Sequence, residues 1–113
     1  MSVESLFNNL FKKYGNEFNW IIIPLSNKTY IKEADKEIKY GHSLYGVKLT
    51  AIAKCESNDD VLYFAENNGE ELYIILHLTY SKNQDIAYPK YIMFDDLCEA
   101  EKYLENQYIE QYL

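Results

Sequence analysis

The sequence predicts an α+β fold: a mainly antiparallel sheet of four or five strands in meander order, with two N-terminal helices and a C-terminal helix. Three observations carry that expectation. Apolar residues recur at three- and four-residue steps near both ends of the chain, and the period drops to two from Val47 onward. Turn-forming runs, Ser57-Asn58-Asp59-Asp60 and Asn67-Asn68-Gly69, then punctuate the period-two region. At 113 residues with 48% hydrophobic and 16% aromatic content, the chain can bury enough apolar surface to offset its ordering entropy, and a single domain spanning 1–113 is expected.

The first helix is expected over residues 3 to 14. Val3, Leu6, Phe7, Leu10, Phe11 and Tyr14 form its apolar stripe, Ser2 can cap its free amides and Gly15 can end it. Trp20-Ile21-Ile22-Ile23 is β-branched and closed by Pro24, which holds the preceding residue out of the helical region, so this piece is extended. A second helix runs from Thr29 toward Gly41, with Tyr30, Ile31, Ala34 and Ile38 on one side. Its opposite side, Lys32, Glu33, Lys36 and Glu37, is mixed in sign and is expected to be solvated.

Val47, Leu49, Ala51, Ala53 and Cys55 alternate with more polar residues and predict a half-buried strand over 47 to 56. Strands over 61 to 66 and 71 to 80 follow, the latter apolar on both faces and therefore central, with Asn67-Asn68-Gly69 as the hairpin turn between them. After Pro89, Tyr91 to Phe94 reads as an edge strand. The last helix is expected over about 96 to 110. Asp96 stands as its N-cap, Glu99 completes a capping box, and Leu97, Ala100, Leu104 and Tyr108 form its core side.

Charge narrows the function. The net charge of −7 and the absence of arginine argue against nucleic-acid binding, which rests on cations neutralising phosphates. Between Phe94 and Leu113 six carboxylates face the single cation Lys102, a local charge of −5 interleaved with Tyr103, Tyr108 and Tyr112. Carboxylates attract cations and tyrosine supplies flat contact area at low entropic cost, so the stretch suits a surface that holds a basic protein. No apolar run approaches the length of a membrane span and the first residues lack a secretion signal, which makes the cytoplasm the expected compartment.

Motifs for chemistry are sparse. His42 and His77 are the only histidines; with an Asp from the Asp59-Asp60 turn they offer an acid/base set for a small hydrolase or transferase, against the simpler reading of hydrogen-bonded structural residues. Asp59-Asp60 and Asp95-Asp96 do not continue into a calcium loop and read as turn and cap chemistry, so no metal site is expected, and no motif implies a cofactor. Cys55 and Cys98 are far apart and read as packed, free thiols.

The succession Ile23-Pro24-Leu25, Glu37-Ile38, His42, Ala51-Ile52-Ala53, Asn58-Asp59-Asp60-Val61-Leu62 and Leu76-His77-Leu78-Thr79-Tyr80 resembles small, uncharacterised cytoplasmic proteins of low-GC bacteria. In size and acidity the chain is similar to immunity proteins that neutralise secreted polymorphic toxins. The resemblance spans roughly residues 20 to 95 and implies binding and blockade of a toxin domain; it carries no catalytic residue over. The expected function is thus an immunity-type inhibitor of a basic toxin domain such as a nuclease. The expected contact residues are Glu101, Tyr103, Glu105 and Tyr112 on the last helix, with Asp59, His42 and Tyr45 beyond it. A homodimer pairing its exposed aromatics is the remaining alternative.

Overall fold

The computed structural model describes residues 2–82 and 85–113. It is an α+β fold of three helices and one five-stranded sheet. In chain order the elements are α1 (Val3–Tyr14), a single 3₁₀ turn (Gly15–Glu17), β1 (Trp20–Ile22), α2 (Thr29–Glu37), β2 (Lys48–Cys55), β3 (Asp60–Asn67), β4 (Glu70–His77), β5 (Lys90–Phe94) and α3 (Leu97–Tyr112). The sheet order is β1-β2-β3-β4-β5 and each neighbouring pair is antiparallel. The meander therefore continues outward on both sides of the expected three strands; β3 lies at its midpoint, and β4 is an interior strand as expected, flanked by β3 and β5.

Local chemistry sets the boundaries. Ser2 accepts a hydrogen bond from the Ser5 amide at 3.1 Å and starts α1; Gly15, at φ 70°, ends it. Asn68 and Gly69 turn the β3–β4 hairpin with φ of 53° and 83°, the positive values that a two-residue type I′ turn requires. Asp96 caps α3 by accepting from the Glu99 amide at 2.9 Å, and Glu99 reaches back to accept from the Asp95 amide at 3.0 Å, one residue further than a standard capping box.

The sheet is covered on both faces. α1, the 3₁₀ turn and α3 pack on one face around Phe7, Leu10, Phe18, Leu62, Ile75, Leu104 and Tyr108. α2 and the segment after it cover the other around Ala34, Ile38, Leu44, Val61, Tyr63, Ile74 and Leu76. β3 and β4 are thus apolar on both sides because both sides are buried. Tyr63 is fully buried and its hydroxyl donates to the Tyr30 carbonyl at 2.7 Å, tying α2 to the central strand.

Two expectations are corrected. The alternation in β2 does not keep one face inward: the register shifts between Ala51, opposite Tyr63, and Ala53, opposite Leu62. This bulge sends Ala51 into the α2-side core and Ala53 and Cys55 into the α1/α3-side core. Glu37, placed on a solvated helix face by the sequence, is instead buried with only 6% of its surface exposed. Its carboxylate accepts from the Thr79 amide, the Thr79 hydroxyl and the Tyr80 amide at 2.7, 2.7 and 2.9 Å, fastening the chain where it leaves β4. Among the described residues no helix is long and apolar enough to cross a membrane.

Candidate functional site

Strand register gathers the chain's acids at one end of the sheet. The β3–β4 hairpin pairs Glu66 directly with Glu71 and Asn67 with Glu70, while Lys48 of β2 faces Glu66 from the other side. Tyr73 pairs with Phe94, so the start of β4 lies beside the exit of β5, where Asp95 and Asp96 lead into α3. Glu66, Glu70, Glu71, Asp95, Asp96 and Glu99 are all exposed. Between the two groups runs a groove of about 350 Å³ lined by Glu71, Tyr73, Asp95, Asp96, Leu97 and Cys98. Cys98 is exposed there, not packed as expected; Cys55 is buried.

Like charges placed directly opposite one another destabilise a sheet by some tenths of a kcal/mol. At this end that cost is tolerated with Lys48 as the one cross-strand cation in the paired register. The carboxylates are spread along the sheet end: among the described residues, no three Asp, Glu, His or Cys side chains are gathered to hold a metal ion. The arrangement makes a broad negative surface, with Tyr73 as its aromatic floor.

The contact residues expected from the sequence are dispersed. Glu105 is half-buried, and its Oε2 accepts from the Tyr14 hydroxyl at 2.7 Å and pairs with the Lys13 ammonium at 2.7 Å. The hydrogen bonds from Lys13 and Tyr14 hold its carboxyl below the usual range. It therefore joins α3 to the end of α1 instead of facing outward. Glu101, one turn earlier, is half-buried too, and its Oε2 is shielded from solvent without a hydrogen-bond partner among the described residues. Both acids flank the buried stripe of α3 closely enough to be partly covered.

Tyr103, expected on the surface, packs half-buried on Phe94 with ring centroids 5.4 Å apart. Tyr112 is exposed as expected, its ring resting 5.0 Å from that of Tyr108. Asp59 is exposed, and Tyr45 is exposed and meets Tyr40 edge-on at 5.5 Å. His42 is corrected outright: it is buried, its Nδ1 accepts from the Leu44 amide at 3.0 Å, and its Nε2 donates to the Pro89 carbonyl at 2.9 Å. With both ring nitrogens engaged by backbone, it pins the loop before β5 and offers nothing to a partner.

The histidines lie on opposite faces of the sheet. His42 packs against Tyr91 on the α2 side, whereas His77 alternates with Leu76 and shares the α3 side with Ile75. His77 is exposed and its Nδ1 lies 2.7 Å from Asp60 Oδ1. Asp60, His77 and Lys90 are paired in one row across β3, β4 and β5, beside a groove of about 210 Å³ that Ile92 and Tyr103 also line. A carboxylate that orients an imidazole is the first half of a general-base arrangement.

Compared with known proteins, the chain matches no family model, no curated protein and no solved structure. The acidic sheet end was missed by sequence reasoning because it is assembled by register. Its sequence signals were Asp95, Asp96 and Glu99 in the acidic run and Glu66 and Glu70-Glu71 flanking the Asn68-Gly69 turn, with nothing to bring the two together.

Proposed function

We propose that the chain is a protein-binding module of the immunity type, which holds a basic toxin domain against its acidic sheet end and blocks that domain's active site. The observation that carries this reading is the exposed set of six carboxylates at this sheet end, of which Glu71, Asp95 and Asp96 line the Tyr73 groove and Glu66 is held directly opposite Glu71. A nuclease binds phosphate and so carries a positive cleft, to which such a surface is electrostatically complementary. The tyrosine and Leu97 in the groove supply apolar contact that charge alone does not. Relative to the expectation from sequence, the contact surface moves from the body of the last helix to its N-terminus and the adjoining hairpin.

Glu71→Lys tests this in two ways. Without any partner, it replaces a like-charge pair by an opposite one and is expected to raise the unfolding free energy by about 0.5 to 1 kcal/mol in urea titrations. Against a panel of purified basic nuclease domains, it is expected to slow association about tenfold or more for the domain that the wild type binds, with a weaker dependence on salt. Wild-type association by the charge-reversed chain would place the interaction elsewhere. The alternative of a small hydrolase or transferase now stands on His77 and Asp60 without His42. His77→Gln leaves toxin neutralisation unchanged if binding is the function and removes it if the imidazole does chemistry.

A further inference from the structure

We infer that two copies of the chain pair through β5, extending their sheets into one continuous antiparallel sheet across a twofold axis at Ile92. The inference goes beyond the binding of a basic partner and rests on the geometry of a sheet edge. The sheet is open, so β1 and β5 each present a row of backbone groups that, among the described residues, no neighbouring strand takes. The two edges differ in protection. β1 is three residues long and is closed after one more residue by Pro24, which cannot extend a ladder. β5 has five residues, no proline within it, and apolar side chains exposed on both of its faces: Ile92 at 40% and Met93 at 45%. Natural edges are usually guarded by an inward charge, a bulge or a cover, and the centre of β5 has a regular register to β4 and an apolar pair instead.

Charge selects the occupant. The only charged residue of β5 is Lys90 at its entry, and its exit runs directly into Asp95 and Asp96. Antiparallel pairing of two identical strands is the arrangement that sets each entry against the other copy's exit. Centred on Ile92, it places Ile92 opposite its counterpart, Tyr91 opposite Met93 and Lys90 opposite Phe94, with Asp96 of the second copy diagonally next to Lys90 on the same face. The Lys90 ammonium already lies 4.9 Å over the Tyr88 ring, and Tyr88 is the position that would stand opposite that aspartate. Parallel pairing would oppose lysine to lysine and aspartate to aspartate. The strand is self-complementary in one orientation only, which is the requirement for a twofold interface.

Sedimentation equilibrium on the purified full chain, from about 1 to 300 µM, tests the pairing. The wild type is expected to show a concentration-dependent monomer–dimer equilibrium that weakens with added salt. Ile92→Lys, at an exposed position, is expected to keep the circular dichroism spectrum of the wild type and to weaken the dimer at least about tenfold. Lys90→Glu should weaken it too, and Lys90→Glu with Asp96→Lys should recover part of the loss, a rescue that a purely structural role for Lys90 does not produce. In a Cys98→Ser background, Ile92→Cys should give a disulfide-linked dimer on mild oxidation, because Cβ atoms directly opposite across antiparallel strands lie about 4.5 to 5.5 Å apart. A wild type that stays monomeric at the highest concentration overturns the inference. So does a dimer whose affinity is unmoved by Ile92→Lys, which would put the contact on another surface.

Discussion

Replacing Glu37 by alanine is expected to destabilise the protein by about 2 to 4 kcal/mol, measured by urea unfolding. The carboxylate sits at the last position of α2, where the helix dipole disfavours negative charge, and it is buried. It is tolerated there because Thr79 and Tyr80 direct two backbone N–H groups and a hydroxyl at its two oxygens. Alanine removes the acceptor and leaves those donors unpaired, and the desolvation penalty of orphaned donors exceeds the net value of the bonds. Tyr80 adds to the effect, since its φ of 52° is a left-handed conformation that a non-glycine residue holds only when its surroundings enforce it. Glu37→Gln retains the shape but not the charge and should lose roughly half as much, about 1 to 2 kcal/mol.

The same residue sets an acid limb of stability. Burial pushes the Glu37 carboxyl up, but the hydrogen bonds it accepts from Glu33, Thr79 and Tyr80 outweigh burial and leave it below its ordinary value. Glu33 moves the other way, raised by its hydrogen bond to Glu37, by partial burial and by the Glu37 charge, with Lys36 opposing. Glu37 contributes stability that is fully present above the unfolded carboxyl value of about 4.3 and is lost as pH falls through its lower folded value. Glu33 contributes the reverse, present below that value and lost as pH rises through its raised one. Urea midpoints measured between pH 7 and pH 3 should therefore fall less steeply for Glu37→Gln than for the wild type.

What could be read from the sequence was whatever depends on neighbours in the chain. Ser2, Gly15, Asn68-Gly69 and Asp96 each act within four residues, and the helix ends and hairpin they define stand where local chemistry put them. The bulge in β2 was hidden because Ala51, Ala53 and Cys55 are small and apolar enough to suit either core, so alternation looked unbroken when it was not. Glu37 and Glu105 were misplaced for another reason: their partners, Thr79 and Tyr14, lie 42 and 91 residues away, and no periodicity encodes such a meeting. The candidate site failed in the same manner. Asp95, Asp96 and Glu99 were visible within a run, but they join Glu66, Glu70 and Glu71 only when the hairpin and the exit of β5 are brought side by side.

Phe18→Ala is expected to have the largest single effect, a loss of about 3 to 5 kcal/mol against a total stability that is 5 to 15 for most domains. Phe18 is buried at the point where the 3₁₀ turn passes into β1, and its ring meets four others. Phe11 lies edge-on at 5.9 Å, Tyr108 at 5.4 Å, Tyr14 at 6.2 Å and Phe7 at 6.5 Å. Three of these rings come from α1 and one from α3, so the phenyl fills the space in which the two helices meet above the sheet. Alanine would empty that space, and the surrounding rings sit on separate rigid elements that cannot all move inward to close it. Phe18→Leu, which refills much of the volume without the ring contacts, should lose only part as much, about 1 to 2 kcal/mol. The damage is also expected to be uneven. α3 is docked near its start by Leu97 and Ala100 and toward its end by Leu104 and Tyr108, and it is the Tyr108 ring that packs on Phe18. Amide hydrogen exchange in Phe18→Ala should therefore accelerate more over residues 104 to 112 than over residues 97 to 103, whereas uniform acceleration along the helix would show that α3 opens as one unit.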